Sequence, residues 1–248
     1  SSHALLILLC AFIIIPVFWI LDISFSPGNS LSSSDGLGFG DWTTDHFGNI
    51  FSSSEFYLWV KNSLIVAIGT TILGLSIAIP AGYGFSRYNF YGKSSIMFSF
   101  ILVQMFPGVI IIVPYFILMK TLGLLNSSIG LILAYSVTAL PLCVWMLKGY
   151  FDTIPRELEE AARIDGCTQF QVFWKIMIPL SLPAIAVTAL FSFLAAWNEF
   201  LLALTFNTSN DNYTLPVGLA SFISPTKQLW GDFAALSIIA AIPIVLLL

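Results

Sequence analysis

Charge is what this sequence has least of. Asp, Glu, Lys and Arg make up 9% of its 248 residues, against 58% hydrophobic, and mean hydropathy is +0.93. Soluble domains carry about 25% charged residues, so a water-soluble globule is excluded and a polytopic membrane protein is expected. The net charge of −4 argues against nucleic acid as a partner. Cysteine is scarce as well. Cys10, Cys143 and Cys167 form an odd set without CxxC spacing, which excludes a disulfide framework and gives no metal site. His3 and His46 stand far apart and read as loop or interface residues. With no Ser/His/Asp grouping, no paired carboxylates at a pocket and no HExxH, no catalytic residue, metal or cofactor is expected in this chain. Gly92-Lys93-Ser94 ends like a phosphate loop, but Arg87 occupies the place of its first glycine and no strand precedes it, which excludes nucleotide binding there. An initiator Met is also missing, and both ends fall within apolar runs. The natural termini are therefore expected to lie beyond this stretch.

What the chain has in abundance is long apolar runs. Ala4 to Leu21 is long enough to cross ~30 Å of hydrocarbon at ~1.5 Å per residue. It shows no small-residue cleavage site, so it reads as an uncleaved first span. From Asp22 to Phe56 the composition turns to Ser, Gly and Asp, a polar external loop with room for a short interfacial helix near Thr43 to Phe51. The second run covers Tyr57 to Tyr83. In it Thr70, Gly74, Ala78 and Gly82 recur every four residues, a stripe of small side chains that lets helices approach closely in lipid. The stripe serves either a packing face that shifts between states or a static one, and Pro80 predicts a kink. The third span runs from Ser95 to Met119 with Gln104, Pro107 and Pro114 inside it; the fourth, from Ile129 to Leu147, carries Pro141. The fifth runs from Leu182 to Phe206 around Trp197-Asn198-Glu199-Phe200, and the sixth begins near Phe233 after a polar segment from Asn207 to Asp232. Trp19 and Trp59, near span ends, read as interface anchors.

The expected fold is all-α: one transmembrane domain over residues 1–248 with six transmembrane helices. An even number of spans puts both termini on one side. Of the nine Lys and Arg, Arg87, Lys93, Lys148, Arg156, Arg163 and Lys175 flank one face and Lys61, Lys120 and Lys227 the other. The positive-inside rule then places the termini and the loop of residues 148–181 in the cytoplasm, and the loops of residues 22–56 and 207–232 outside. Glu199 within a span costs ~2.5–3.5 kcal/mol at mid-depth. It therefore lines a polar path, latches to a partner helix, or sits at the outer interface. Gln104 and Asn198 are weaker cases of the same kind.

The one strongly charged and periodic stretch is Pro155 to Pro179. It predicts a first helix with Pro155 in its first turn, where a missing N–H costs little. Glu157, Glu159 and Glu160 follow at the positive end of the helix dipole, and Gly166 supplies a left-handed stop. Thr168 and Gln171 have capping-box spacing for a second helix. Val172, Phe173, Ile176 and Met177 form its apolar face, and Pro179 is expected to end it.

Glu160-Ala161-Ala162, Gly166, Ile176 and Pro179, at these spacings, resemble the cytoplasmic EAA loop of ABC-importer permease subunits. Ile178 stands where that family usually has Leu. The order of spans, Trp197 to Phe200, Leu215 to Gly218 and Leu229 to Ala234 are similar to the carbohydrate-uptake branch of the family, its maltose-importer members especially. The resemblance covers most of the chain outside residues 22–56. It implies a helix–Gly–helix coupling loop that docks on a dimeric cytoplasmic ATPase through Glu160, Ala161, Ala162, Asp165 and Gly166, with ATP and Mg held by that partner. A second permease subunit, an extracytoplasmic solute-binding protein and a sugar substrate are implied too, in the cytoplasmic membrane of a prokaryote. Gln104, Asn198 and Glu199 would lie on the translocation path. Ser224, Pro225, Thr226, Lys227 and Gln228 correspond to a loop that reaches the binding protein. The same architecture serving a non-sugar solute, such as a phosphorylated polyol, is the alternative. An ion-coupled secondary transporter is disfavoured, because only Glu199 offers a carboxylate inside a span and no inverted repeat is evident.

Overall fold

The computed structural model describes residues 2–29, 42–224 and 226–247, and it is helical almost throughout. In chain order the helices are α1 (Ser2–Phe25), α2 (Asp45–Ser52), α3 (Ser54–Arg87), α4 (Lys93–Met105), α5 (Gly108–Thr121), α6 (Ser128–Thr153), α7 (Arg156–Ile164), α8 (Gln169–Val172), α9 (Ile178–Leu180), α10 (Leu182–Trp197), α11 (Leu201–Phe206), α12 (Leu215–Ala220) and α13 (Trp230–Leu247). A π-helical turn, Phe173–Met177, joins α8 to α9. A hairpin of β1 (Ile223–Ser224) and β2 (Lys227–Gln228) precedes α13. The chain divides into two compact units, Ser1–Asn62 with Ser209–Leu248, and Ser63–Thr208.

In the first unit α1 lies along α13, and α2 packs against both. From Leu5 to Trp19 nearly every side chain of α1 is exposed and apolar, as a lipid-facing helix requires. The helix does not stop at Leu21. It carries Asp22 and Ser24 on to Phe25, with the Ser24 hydroxyl bonded back to the Leu21 carbonyl at 2.7 Å, so local back-bonding accommodates polar residues that composition assigns to a loop. Trp59 is no interface anchor: it is 3% exposed, donates from Nε1 to Asn210 at 3.2 Å, and its ring lies where a Cβ on Gly218 would fall. His46 is equally internal, with Nδ1 at 2.6 Å from Asp232 Oδ1 and Nε2 at 3.0 Å from the Ser26 carbonyl. Its ring occupies the space of a Cβ on Gly231. The segment from Asn207 to Asp232 is thus more ordered than its polarity suggests, holding α12, the hairpin and the first turn of α13.

In the second unit α6 packs against α10, α4 and α11, and the small-residue stripe of α3 faces inward. Thr70, Gly74, Ala78 and Gly82 are all buried, and a Cβ on Gly82 would stand 3.1 Å from both Leu147 Cβ and the Lys148 backbone nitrogen on α6. Small residues here let α3 and α6 meet nearly backbone to backbone. Below that contact Leu147, Phe151, Val172 and Met177 form a fully buried apolar core with Ala162. α6 starts cleanly because the Ser127 side chain accepts from the Gly130 N–H, as an N-cap serine does.

Two expected spans are broken. In the third, α4 and α5 meet at 101° across Phe106-Pro107; just ahead of the fifth, the helical run Gln169–Leu180 meets α10 at 73°. Pro107 explains the first: it has no N–H to continue the ladder and forces Phe106 into extended backbone (φ −73°, ψ 128°). The fifth span itself breaks at Asn198–Phe200, between α10 and α11. Among the described residues four helices are long and apolar enough to cross a membrane, or up to six if each bent pair is one span.

The close α3–α6 approach yields a direct test. Gly82→Leu places a four-carbon side chain against Leu147 and the Lys148 backbone and should destabilise the protein by about 1–3 kcal/mol. Thermal melting of the detergent-solubilised chain should show a clear fall in Tm. An unchanged Tm would mean that α3 and α6 do not meet at this point.

Candidate functional site

The charged stretch forms two helices around a glycine turn. α7 begins at Arg156, so Pro155 is its N-cap and lies just outside the first turn. Gly166 has φ 91°, with its N–H on the Arg163 carbonyl at 3.1 Å and the Cys167 N–H on the Ala162 carbonyl at 2.9 Å. That pair of bonds is a Schellman stop. Nothing lies within 4 Å of a Cβ built on Gly166, so the demand for glycine is entirely conformational. The capping box is present: the Thr168 Oγ1 accepts from the Gln171 N–H at 3.3 Å, and the Thr168 N–H donates to Gln171 Oε1 at 2.8 Å. Val172 and Met177 are buried, with Phe173 and Ile176 packed beside them. Pro179 does not end the helix. The chain remains helical to Leu180, because the π turn before Pro179 already departs from the i→i−4 ladder in which a proline would leave a carbonyl unmatched. The break falls instead at Ser181, whose φ −96° and ψ 1° leave the helical region.

Glu159 has a role that its dipole-friendly position conceals. It is buried, and its carboxylate pairs with Arg87 Nε at the end of α3. The Tyr83 hydroxyl donates to its other oxygen at 2.8 Å, and Gln169 Nε2 in turn donates to the Tyr83 oxygen. Arg87 Nη2 also reaches the Ile154 carbonyl at 2.9 Å, where α6 ends. Ser86 donates to Asp152 Oδ1 and Lys148 to Asp152 Oδ2, both at 2.6 Å. The last turn of α3 thereby holds α6, α7 and α8 together.

Of the residues expected to face a partner, Glu160, Ala161, Asp165 and Gly166 are exposed. Ala162 is not: at 6% exposure it packs inward, fixing α7 to the core. Around the exposed set lie three apolar side chains that polarity-based reading passes over, Ile164 at 87% exposure, Phe170 at 71% and Trp174 at 53%.

Gln104, Asn198 and Glu199 all belong to the second unit. Gln104 Nε2 bonds the Thr138 carbonyl at 3.3 Å. Asn198 turns back to the Leu194 carbonyl at 2.8 Å. Glu199 carries a structural duty too: its carboxylate accepts from the Leu202 and Ala203 N–H groups at 3.1–3.2 Å, so it caps α11 where the span breaks. In the first unit, Ser224 and Lys227 pair across the hairpin and Thr226 and Gln228 are exposed; Pro225 lies outside the described residues. Among the described residues no group of His, Cys, Asp and Glu is placed to hold a metal ion.

Residues 71–248 match the family described as binding-protein-dependent transport system inner membrane component. The chain belongs to this family. Among its relatives is the maltodextrin transport system permease protein MdxG of Bacillus subtilis, 38% identical over 99% of this chain and 88% of that protein. The diacetylchitobiose uptake system permease protein DasC of Streptomyces coelicolor is 34% identical over 95% of this chain and 86% of its own length. The maltose/maltodextrin permease protein MalG of Yersinia pestis is 35% identical over 98% and 86%. The fold matches a chain of a bacterial ABC transporter involved in the import of the polysaccharide alginate, with a TM-score of 0.84, 21% identity, and coverage of 99% of this chain and 91% of that one. The permease is therefore a multi-pass membrane protein with the ABC permease fold.

Nothing in the permease sequence singles out Arg87 or Tyr83, because they stand some seventy residues from Glu159 and their pairing is a matter of topology. Glu199→Ala should remove the α11 cap at a cost of about 0.5–2 kcal/mol, whereas Glu199→Gln keeps an acceptor oxygen and loses less. Tm values of the purified variants should rank wild type, Gln, Ala. Equal Tm for Ala and wild type would remove Glu199 from the cap.

Proposed function

We propose that this permease forms half of the translocation path of an ATP-driven, binding-protein-dependent importer of oligosaccharides of the maltodextrin type. The observation that carries the substrate class is near-full-length similarity to the maltodextrin permease of Bacillus subtilis. In this reading the six spans are α1, α3, the bent α4–α5 pair, α6, α10 and α13, and the termini and the charged loop lie in the cytoplasm, as the distribution of Lys and Arg favours.

Energy then comes from a separate dimeric ATPase, which binds ATP and Mg and grips the loop at Glu160, Ala161, Asp165 and Gly166. The uncovered Ile164, Phe170 and Trp174 favour such a partner, because apolar side chains on a charged loop outside the hydrocarbon mark an interaction face. A second permease subunit completes the path, with Gln104 and Glu199 on its polar lining. An extracytoplasmic binding protein delivers the sugar to the hairpin at Ser224 to Gln228. Nucleotide-driven closure of the ATPase moves the loops as rigid bodies and switches access from one side to the other. A glycoside other than a maltodextrin is the second reading, favoured by 36% identity to the sulfoquinovosyl glycerol permease SmoH of Agrobacterium fabrum.

Membrane vesicles holding the complete complex should take up labelled maltodextrin with ATP and the binding protein present. Preference for a sulfonated glycoside would select the second reading. Gly166→Pro fixes φ near −65° where 91° is needed and should abolish that uptake while membrane insertion persists; normal uptake would remove the loop from coupling. Deleting Ser224 to Gln228 should impair uptake and binding-protein stimulation of ATP hydrolysis while leaving ATPase assembly intact. Undiminished stimulation would make the hairpin a mere connector.

A further inference from the structure

We propose that the buried Arg87–Glu159 ion pair is the strut through which motion of the charged loop reaches the membrane helices, with Tyr83 and Gln169 completing it. The inference rests on the reading that the loop docks on an ATPase. It adds the positioning residues on the far side of that contact.

The argument starts from geometry. A loop that transmits displacement must be fixed to what it moves, and packing alone leaves two helices free to slide along each other. Here the fixing is directional. Arg87 and Glu159 side chains are 7% and 10% exposed, so their attraction is little screened by water. The guanidinium is a rigid planar fork, and its donors reach three groups: the Glu159 carboxylate on α7, the Ser86 hydroxyl at 3.2 Å, and the Ile154 carbonyl at 2.9 Å at the end of α6. Tyr83, one turn earlier on α3, gives its proton to Glu159 at 2.8 Å and accepts from Gln169 on α8. Both arms of the loop, before and after Gly166, are therefore pinned to the same turn of α3. Ala162 and Val172 pack into the core beneath them. Next to Tyr83, Gly82 carries the close α3–α6 approach, against Leu147 and the Lys148 backbone.

This makes α7 and α8 one rigid body with the ends of α3 and α6. A push on Glu160 or Asp165 from outside is delivered to the two helices that meet backbone to backbone. The residues that receive the ATPase and those that pass its motion on are neighbours in sequence but face opposite ways: Glu160 outward, Glu159 inward.

The test separates a strut from a fold stabiliser. Replacing both partners, Arg87→Met with Glu159→Leu, leaves no unpaired charge, and such an exchange is often neutral for folding. Full complexes in proteoliposomes are compared for ATPase capture, ATP hydrolysis, and uptake of labelled maltodextrin with its binding protein. The double variant should capture the ATPase and hydrolyse ATP, while maltodextrin moved per ATP falls at least tenfold. A purely structural pair would lower both rates together or neither, and a ratio equal to wild type overturns the proposal. If the double variant does not assemble, Arg87→Leu combined with Glu159→Gln removes the ion pair without leaving a buried charge and keeps an acceptor for the Tyr83 hydroxyl. The same fall in ratio supports the strut and a wild-type ratio overturns it. Failure of the wild-type chain to capture the ATPase brings down the docking reading and the strut with it, whereas capture with an unchanged ratio sinks the strut alone.

Discussion

Backbone polar groups in hydrocarbon must find partners within the protein, and this constraint shapes every departure from a straight helix here. The chain breaks at Phe106-Pro107, at Ser181 and at Asn198–Phe200, and each break frees N–H and C=O groups at mid-helix. At the last of them the remedy is visible: Glu199 accepts from the first free N–H groups of α11, and Asn198 turns its amide back to the Leu194 carbonyl. A carboxylate that looks costly within an apolar run is offset by the donors that the break releases. Gln104 donates to the Thr138 carbonyl within the unbroken α6. Asn198 and Glu199 are thus tied to irregular backbone before they are available to any solute.

The charged loop obeys a related rule. Removing one partner from a buried ion pair costs about 3–5 kcal/mol, so once Glu159 turns inward Arg87 is obligatory. The pair in turn fixes α7, whose Ala162 packs into the buried core. Apolar burial supplies the bulk of the attachment and the polar links give it direction. The outward face stays free to be charged around Glu160 and apolar around Ile164 and Phe170.

Local signals were legible in the chain and long-range ones were not. The Gly166 stop and the Thr168–Gln171 capping box are read over three or four residues and occur as expected. The stripe Thr70 to Gly82 has the spacing of one helix face and is buried as such. The family could be read from the spacing of Glu160 to Pro179, and residues 71–248 match it. Hydropathy alone, by contrast, cannot see that Phe106-Pro107 or Asn198–Phe200 interrupt a span, because the flanking residues are as apolar as those of a straight helix. Trp59 and His46 were misread for the same reason: their partners Gly218, Asn210 and Asp232 lie more than 150 residues away. Pro179 was misjudged because a proline stops an α-helix, and the turn before it is not α.

That π turn has a consequence of its own. Five residues, Phe173 to Met177, are wound more widely than their neighbours, so the turn accommodates roughly one residue more than an α-helical path of the same rise. Each residue of an α-helix advances the facing direction by about 100°. The wider winding therefore absorbs the extra residue: five residues turn through about the angle of four α-helical ones, and Ile178 keeps the direction it would have without the insertion. Tightening the turn to plain α-helix with all five residues kept would advance that direction by about a quarter turn. The segment takes up a one-residue surplus with Phe173, Trp174, Lys175, Ile176 and Met177, none of which is a helix breaker.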